Sequence, residues 1–180
     1  MRMKRARGFG LIEVLVSLLL ICIGLLGMVA LQGRSVQQAQ STVSHSQAVS
    51  LANQLLELMR SNPDAALTNS LFTTASSYYK APGSAFATSS TSIASCLSRS
   101  RSAGGSSVAS ADLACWAQQV SKLLPVSDDL LSAGFAVCPS RTPDSCDTAS
   151  SSVVMIQVAW TDNSGQCDDS VCYYRLRSEL

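Results

Sequence analysis

Hydrophobic residues follow two different patterns in the first third of the chain. Residues 14–31 are almost all apolar and include no charged residue. At about 1.5 Å per helical residue, this run together with residues 9–12 is long enough to cross a hydrocarbon core of about 30 Å. Over residues 34–61, apolar positions recur mainly at steps of three and four, which predicts an amphipathic helix. The two patterns together predict one helix over residues 9–60.

Shorter elements follow this helix. Ser61, Asn62 and Pro63 form a stop signal. Residues 65–94 predict irregular chain, and the Ser- and Gly-rich residues 98–110 predict a flexible loop in which Gly104 and Gly105 serve flexibility alone. Helical spacing returns over residues 111–124, with Leu113, Trp116, Val120, Leu123 and Leu124 on one side.

Three stretches near the C-terminus predict strands: residues 135–138, 153–160 and 172–177. In the second, Val154, Ile156, Val158 and Trp160 alternate onto one face. A turn at residues 162–165 separates the last two strands. The chain therefore predicts an α+β fold, in which a long N-terminal helix packs against a small antiparallel sheet.

The N-terminus adds charge to this picture. The chain begins with Arg2, Lys4, Arg5 and Arg7, and then carries a single carboxylate, Glu13, within its apolar run. Basic residues before a membrane helix predict that this end stays in the cytoplasm. A carboxylate inside such a helix costs about 2.5–3.5 kcal/mol on insertion scales unless it has a partner or lies near the membrane interface. We therefore expect Glu13 to have a compensating partner.

Residues 8–13 read GFGLIE and resemble the processing motif of type IV prepilins. The resemblance implies that a prepilin peptidase cuts between Gly8 and Phe9 and methylates the new amino group of Phe9. It also implies that Glu13 pairs with the N-terminal amine of a neighbouring subunit during assembly. Residues 1–8 are then a basic leader that is removed, and residues 9–31 form the transmembrane helix of the mature protein.

Three later segments resemble PilV-type minor pilins: residues 55–63, 115–120 and 172–177. This resemblance implies a minor pilin that helps to initiate or modify assembly of the type IV pilus, the fibre of twitching motility. Its partners would be other minor pilins, the major pilin and inner-membrane lipid. Residues 32–62 would continue the helix into the periplasm, and residues 63–180 would form a globular head.

Two alternatives to this function remain open. A minor pseudopilin of a type II secretion system shares the N-terminal chemistry and differs in the head. An adhesive subunit at the pilus tip would use the head to bind a surface. In each case the resemblance implies insertion in the inner membrane with the head in the periplasm, and in the pilus cases later incorporation into the fibre, including its tip.

Seven cysteines divide by location. Cys22 lies in the apolar run and is expected to act as a small buried hydrophobe. An even number outside the membrane indicates disulfides formed in an oxidising compartment such as a bacterial periplasm. Fifteen pairings are possible for six cysteines, and sequential pairing needs the shortest loops. The expected disulfides are Cys96 with Cys115, Cys138 with Cys146, and Cys167 with Cys172.

The sequence offers no catalytic or metal-binding arrangement. His45 is the only histidine and lies on the predicted long helix, so we predict no Ser or Cys nucleophile held beside a histidine base. Asp128 with Asp129, and Asp168 with Asp169, lack the alternating spacing of a calcium loop and are expected in solvated turns. We therefore predict a structural subunit that is not an enzyme and has neither metal nor cofactor.

Net charge argues against nucleic acid as a partner. The chain has 13 basic and 12 acidic residues, and loss of the leader would make the mature protein net acidic. Nucleic-acid binding relies instead on clustered basic residues. The two basic pairs, Arg99 with Arg101 and Arg175 with Arg177, are expected on solvated faces.

Overall fold

Helix α1, Leu11–Arg60, is the longest element of the structure. The structure is a computed structural model and describes residues 10–86 and 93–180. The basic leader and the predicted cleavage site between Gly8 and Phe9 lie outside the described residues. Within them, the helix ends at Arg60, directly before the predicted stop signal. The prediction of one long helix is therefore confirmed from Leu11 onward.

The chain forms two units, Met1–Gln40 and Ser41–Leu180, which we call the N-terminal unit and the C-terminal unit. In the C-terminal unit, α1 buries one stripe of apolar side chains and leaves its other faces exposed. The buried positions recur at steps of three and four, as in an amphipathic helix packed on a core. The buried side chains of α1 are Ala48, Leu51, Ala52, Leu55, Leu56 and Met59.

After α1 the C-terminal unit alternates short helices with two small sheets. The sheets are antiparallel, one of two strands and one of three. The remaining elements are α2 Pro63–Ala66, β1 Leu67–Thr68, β2 Leu71–Phe72, α3 Ile93–Ser98, α4 Gly105–Leu123, α5 Asp128–Ala133, β3 Ala136–Pro139, β4 Val153–Thr161 and β5 Val171–Glu179.

The three-stranded sheet has the order β3-β4-β5 and confirms the predicted antiparallel sheet. In its register Ala136 pairs with Gln157, and Trp160 pairs with Cys172. The predicted inward face of β4 is also confirmed, because all four of its side chains belong to the core that α1 completes. The architecture is α+β and pilin-like, with a long apolar N-terminal helix, small antiparallel sheets and three disulfides.

The prediction of irregular chain over residues 65–94 is partly wrong. It misses α2, the start of α3 and a hairpin between β1 and β2, in which Leu67 pairs with Phe72. The hairpin turn consists of Asn69 and Ser70, both with positive φ, of 51° and 61°. Two central residues with positive φ match the twist of adjacent antiparallel strands. Asn and Ser give a weaker turn signal than Asn-Gly, which explains the miss.

The loop prediction over residues 98–110 is wrong from Gly105 onward, because α4 begins there. The side-chain amide of Asn62 fixes this start: its Oδ1 accepts from the Gly105 N–H at 2.9 Å, and its Nδ2 donates to the Gly105 carbonyl at 3.0 Å. Gly104 and Gly105 have φ of 59° and 76°, a backbone conformation that favours glycine. The two glycines therefore serve a defined turn. Leu123, predicted on the packed side of α4, is 41% exposed.

A buried ion cluster holds α4 to the chain before it. The Asp112 carboxylate is fully buried and pairs with two guanidinium groups, of Arg99 at 2.7 Å and of Arg101 at 2.8 Å. It also accepts a hydrogen bond from the Tyr78 hydroxyl at 2.6 Å. Burial, and then this hydrogen bond, raise the pKa of Tyr78 to about 12. The expectation that Arg99 and Arg101 are merely solvated is therefore wrong, because both neutralise a buried carboxylate of α4.

Replacing Asp112 is expected to destabilise the C-terminal unit strongly. Asp112→Ala removes the only carboxylate that Arg99 and Arg101 contact among the described residues, and leaves the three donors with backbone carbonyls alone. Loss of one partner of a buried ion pair costs about 3–5 kcal/mol. We expect the lower end, about 3 kcal/mol, because the Arg99 and Arg101 side chains are 20% and 29% exposed. Denaturant unfolding of the full chain in detergent, followed by tryptophan fluorescence, measures the change.

The matched control is Glu57→Ala, which breaks an exposed ion pair between Glu57 and Arg60. Exposed pairs contribute about 0–1 kcal/mol, so this variant is expected to unfold near the wild-type midpoint. Equal losses in Asp112→Ala and Glu57→Ala would contradict a special role for the buried cluster.

Lys80 is a buried cation that is held by carbonyl groups. Lys80 is only 4% exposed. Its Nζ donates to the carbonyls of Phe135 at 2.7 Å and Ser132 at 3.0 Å. The same Nζ lies 4.8 Å from the centre of the Phe86 ring. Burial lowers the pKa of Lys80 to about 8, since desolvation disfavours the charged form.

This shift predicts that the C-terminal unit becomes more stable as pH rises from about 8 toward 10.5. In that window the unfolded chain keeps the proton on Lys80 and the folded chain has lost it, so raising the pH favours folding. The slope is at most about 1.4 kcal/mol per pH unit. Unfolding midpoints measured across the window test it, and Lys80→Met is the control that should lack the slope. An identical pH profile in both proteins would contradict the prediction.

Candidate functional site

The N-terminal unit has an exposed apolar surface. None of the described residues of this unit covers it. Large apolar side chains along α1 in this unit are exposed, including Leu11 at 82% and Leu31 at 70%. By length and composition, α1 contains a stretch that is able to cross a membrane. Since a soluble protein rarely exposes so large an apolar patch, lipid or other apolar helices are its natural surroundings.

Glu13 lies in the first turn of α1 and is exposed. Its backbone N–H donates to the Gly10 carbonyl at 2.9 Å, and its backbone carbonyl accepts from the Ser17 hydroxyl at 2.6 Å. No ion pair joins its carboxylate to another residue of the described part of the chain. The helix N-terminus favours a negative charge, but only by about 0.3–1 kcal/mol in water. Among the described residues, the carboxylate therefore has no counter-charge.

The predicted partner groups of Glu13 cannot be compared with the geometry directly, because Gly8 and Phe9 lie outside the described residues. Cleavage between them would create an amine four residues before Glu13. In a helix, that separation is about one turn, or about 6 Å along the axis. The cleavage, the methylation of Phe9 and the pairing of Glu13 stay predictions.

Three disulfides secure the C-terminal unit, and they are the sequential ones: Cys96–Cys115, Cys138–Cys146 and Cys167–Cys172. The first joins α3 to α4, the second joins β3 to the chain that follows it, and the third closes the approach to β5. Each links segments that are already neighbours, which is why short loops predict the pairing. Cys22 is free and exposed in the N-terminal unit. The expected burial of its side chain is therefore not provided by the described residues.

The remaining candidate residues lie in solvated positions. Asp128 and Asp129 are exposed in the first turn of α5, and Asp168 and Asp169 are exposed in a 3₁₀ turn. In the described ranges, no group of three or more His, Cys, Asp or Glu side chains is arranged to hold a metal ion. All four aspartates are therefore solvated, as the sequence predicts, although Asp128 and Asp129 lie in a short helix and not in a turn.

His45 is exposed, as the sequence predicts, but it has neighbours that the sequence does not reveal. Its ring lies edge-on to Trp160 at 6.1 Å and to Tyr174 at 5.8 Å between centroids. The strands β4 and β5 carry these two rings, more than a hundred residues further along the chain. Pattern analysis of α1 alone gives no signal for such a contact.

A groove on the C-terminal unit lies between α1, α3 and α4 and has a volume of about 440 Å³. Its wall is mainly apolar and includes Leu58 and Trp116, with Arg99 and Lys122 also lining it. Leu97 also lines it and is 85% exposed. The disulfide between α3 and α4 holds this wall together, so the groove is a formed feature of the surface.

Comparison with known proteins agrees with the N-terminal motif. Residues 3–29 match the family described as "Prokaryotic N-terminal methylation motif". No curated protein matches the chain, and no solved structure matches it. The motif indicates a type IV pilin-like or pseudopilin-like subunit, anchored by its N-terminal helix. Such a motif implies processing by prepilin peptidase and pilin partners, and it belongs to structural subunits.

The motif predicts the mass of the mature protein. In cells with active prepilin peptidase, intact mass spectrometry is expected to show loss of residues 1–8 and one added methyl group on Phe9. Gly8→Val is expected to retain the leader, because a branched side chain replaces the glycine at the scissile bond. An unmodified leader on the wild-type chain in such cells would contradict this processing.

Gly10→Ala is the matched control for the Gly8 variant. A Cβ built at Gly10 meets only Ile12 Cγ2, at an ordinary contact distance of 3.8 Å. The variant should therefore fold and be processed like the wild type. Failure of both glycine variants would point to a general defect in insertion instead of a defect at the scissile bond.

Proposed function

We propose that this protein is a minor pilin, a low-abundance subunit that helps to initiate or modify assembly of a type IV pilus. The observation that carries the proposal is the Glu13 carboxylate, which forms no ion pair with the described residues and lies on an exposed apolar helix within a segment that matches the methylation motif. Such a chain is poorly suited to remain alone in lipid. It is well suited to join other helices that neutralise the charge.

The energetic argument concerns two states of the same carboxylate. Alone in the bilayer, Glu13 raises the free energy of the inserted helix by no more than about 2.5–3.5 kcal/mol, the cost of a charged residue at the centre of a membrane helix. Beside the methylated amine of a neighbouring subunit, the charge is paired and that penalty is relieved. The difference favours the docked state specifically, whereas the other exposed side chains of the segment pack equally well on lipid and on helices. Glu13 would therefore license assembly.

The C-terminal unit would decide which neighbours fit. Its sheet, its disulfides and its buried ion cluster hold a defined surface, and specificity between similar subunits depends on such surfaces. We propose that prepilin peptidase, other minor pilins, the major pilin and inner-membrane lipid are the partners. The protein would enter the inner membrane with its C-terminal unit in the periplasm, and then join the pilus, with the tip as one location.

Removal of the Glu13 charge is the direct test. Glu13→Gln and Glu13→Ala are expected to be trimmed and methylated normally. Their amount in the sheared pilus fraction is expected to fall at least about tenfold, because the docked state loses its advantage. Immunoblots of the pilus and membrane fractions, with mass spectrometry of the mature N-terminus, measure both steps.

Glu57→Gln is the control, since it makes the same chemical change at an exposed position of the C-terminal unit. Wild-type incorporation of both Glu13 variants would refute the role of the carboxylate. Deletion of the gene distinguishes the pilus from a secretion system: we expect fewer surface pili with normal exoprotein secretion. Normal piliation with lost secretion would instead identify a pseudopilin.

A further inference from the structure

Two exposed leucines line the groove between α1, α3 and α4 in the C-terminal unit. Leu97 of α3 is 85% exposed, and Leu123 at the end of α4 is 41% exposed. Among the described residues of this unit, only two other large apolar side chains, Val43 and Tyr173, are exposed, and neither lines the groove. Single exposed apolar side chains are ordinary, whereas apolar side chains grouped along one groove are typical of a binding surface.

The segment that forms α3 and α4 is basic, while the rest of the C-terminal unit is acidic. Residues 93–124 include three basic residues and one acidic residue. The other residues of the C-terminal unit include five basic and ten acidic ones. In the described part of the chain, no Asp or Glu lines the groove. The groove therefore lies on the one basic segment of an otherwise acidic unit.

The positive charge of this segment is not neutralised within the fold. Asp112 pairs with both Arg99 and Arg101, so one carboxylate faces two guanidinium groups. Lys122 lines the groove, is exposed, and forms no ion pair or hydrogen bond with the described residues. The seven other Lys and Arg side chains of the C-terminal unit each bond a carboxylate, a carbonyl or a hydroxyl group. An acidic partner would supply the missing counter-charge of Lys122.

Helices form the walls of the groove. Gln54 and Leu58 of α1 line it and are four residues apart, about one helical turn. Cys115, Gln119 and Lys122 line it from α4 at steps of four and three residues, so the groove follows about two turns of that helix. An elongated apolar groove between helices is the surface on which amphipathic helices dock through their apolar face.

The exposure of Leu97 favours a protein over a small molecule as the occupant. A small molecule seated in a groove of about 440 Å³ would leave in water most of a side chain that is 85% exposed. A helix laid along the groove has a surface wide enough to cover both leucines. Its carboxylates would then lie at the polar edge, where Lys122 and Gln119 are exposed.

We propose that this groove binds an acidic amphipathic helix of another protein. Apolar side chains of that helix cover Leu97 and Leu123, and a carboxylate beside them pairs with Lys122. The Cys96–Cys115 disulfide joins α3 to α4 and holds the groove in shape before the partner arrives. This binding uses the C-terminal unit alone, so it is separate from assembly through Glu13.

The first experiment identifies what the groove contacts in the cell. Photoreactive benzoylphenylalanine replaces Leu97 or Leu123 in the full chain, the cells are irradiated, and crosslinked peptides are sequenced by mass spectrometry. We expect both positions to capture one segment of another protein, with apolar residues at steps of three and four and at least two acidic residues. The same label at Tyr173, which is 48% exposed and outside the groove, is the control and should not capture that segment.

The second experiment measures the affinity of the full chain for that segment as a synthetic peptide, in nanodiscs of neutral phosphatidylcholine. Leu97→Ser is expected to weaken binding about ten- to a hundredfold, the effect of burying a leucine side chain. Val43→Ser is the matched control, because it removes an exposed apolar side chain outside the groove and should bind like the wild type. Unchanged unfolding midpoints show that the variants are folded. Equal binding by Leu97→Ser and the wild type would overturn the proposal.

The contribution of charge is measured in the same assay. Lys122→Glu is expected to weaken binding about threefold or more, because repulsion replaces attraction at an exposed pair. Lys122→Arg keeps the charge and should bind like the wild type. High salt should weaken binding by the wild type and reduce the difference between it and Lys122→Glu, since salt screens exposed charges. Equal binding by Lys122→Glu and the wild type at low salt would overturn the pairing with an acidic partner.

Three results of the crosslinking experiment would also overturn the proposal. The first is that neither leucine position captures a protein. The second is that the captured molecule is a lipid or another copy of this chain. The third is that the captured segment has no acidic residues, which would identify a purely apolar contact.

Discussion

The structure depends on how helix α1 distributes its apolar side chains between two surroundings. In the N-terminal unit they are exposed around the helix, as lipid or neighbouring helices require. In the C-terminal unit they form one stripe, which completes the core with β4. Neither half is stable in the other's surroundings, because water penalises the first and lipid would strand the polar faces of the second. The position of the C-terminal unit along the sequence follows from this change of pattern.

The features that local patterns encode were predictable. The end of α1 follows from Ser61–Asn62–Pro63, and the inward face of β4 follows from the alternation of side-chain direction along a strand, which places Val154, Ile156, Val158 and Trp160 together. Disulfide pairing was also predictable, since the cysteines of Cys138–Cys146 and Cys167–Cys172 are only 8 and 5 positions apart in the sequence. In such cases chain proximity and tertiary proximity coincide, so the sequence contains most of the information.

Features that depend on distant partners were missed. Asp112 reads as a polar residue near the start of a helix, and only the fold brings Arg99, Arg101 and Tyr78 around it. Likewise, α4 starts at Gly105 because Asn62, 43 residues earlier, bonds both backbone groups of that glycine. The contact of His45 with Trp160 has the same character. Helix propensity and loop composition are local quantities, and a tertiary hydrogen bond overrides them at these positions.

The hydrogen bonds between α1 and the rest of the C-terminal unit have a mechanical consequence. Two carbonyl groups two turns apart on this helix accept side-chain hydrogen bonds, Leu51 from Trp116 at 2.9 Å and Leu58 from Arg101 at 3.0 Å. Tension applied along the helix axis would load both bonds and the buried apolar stripe in parallel. Elements loaded in parallel share a force, so rupture requires them to fail together. Tension on α1 would therefore be spread over several contacts of the C-terminal unit.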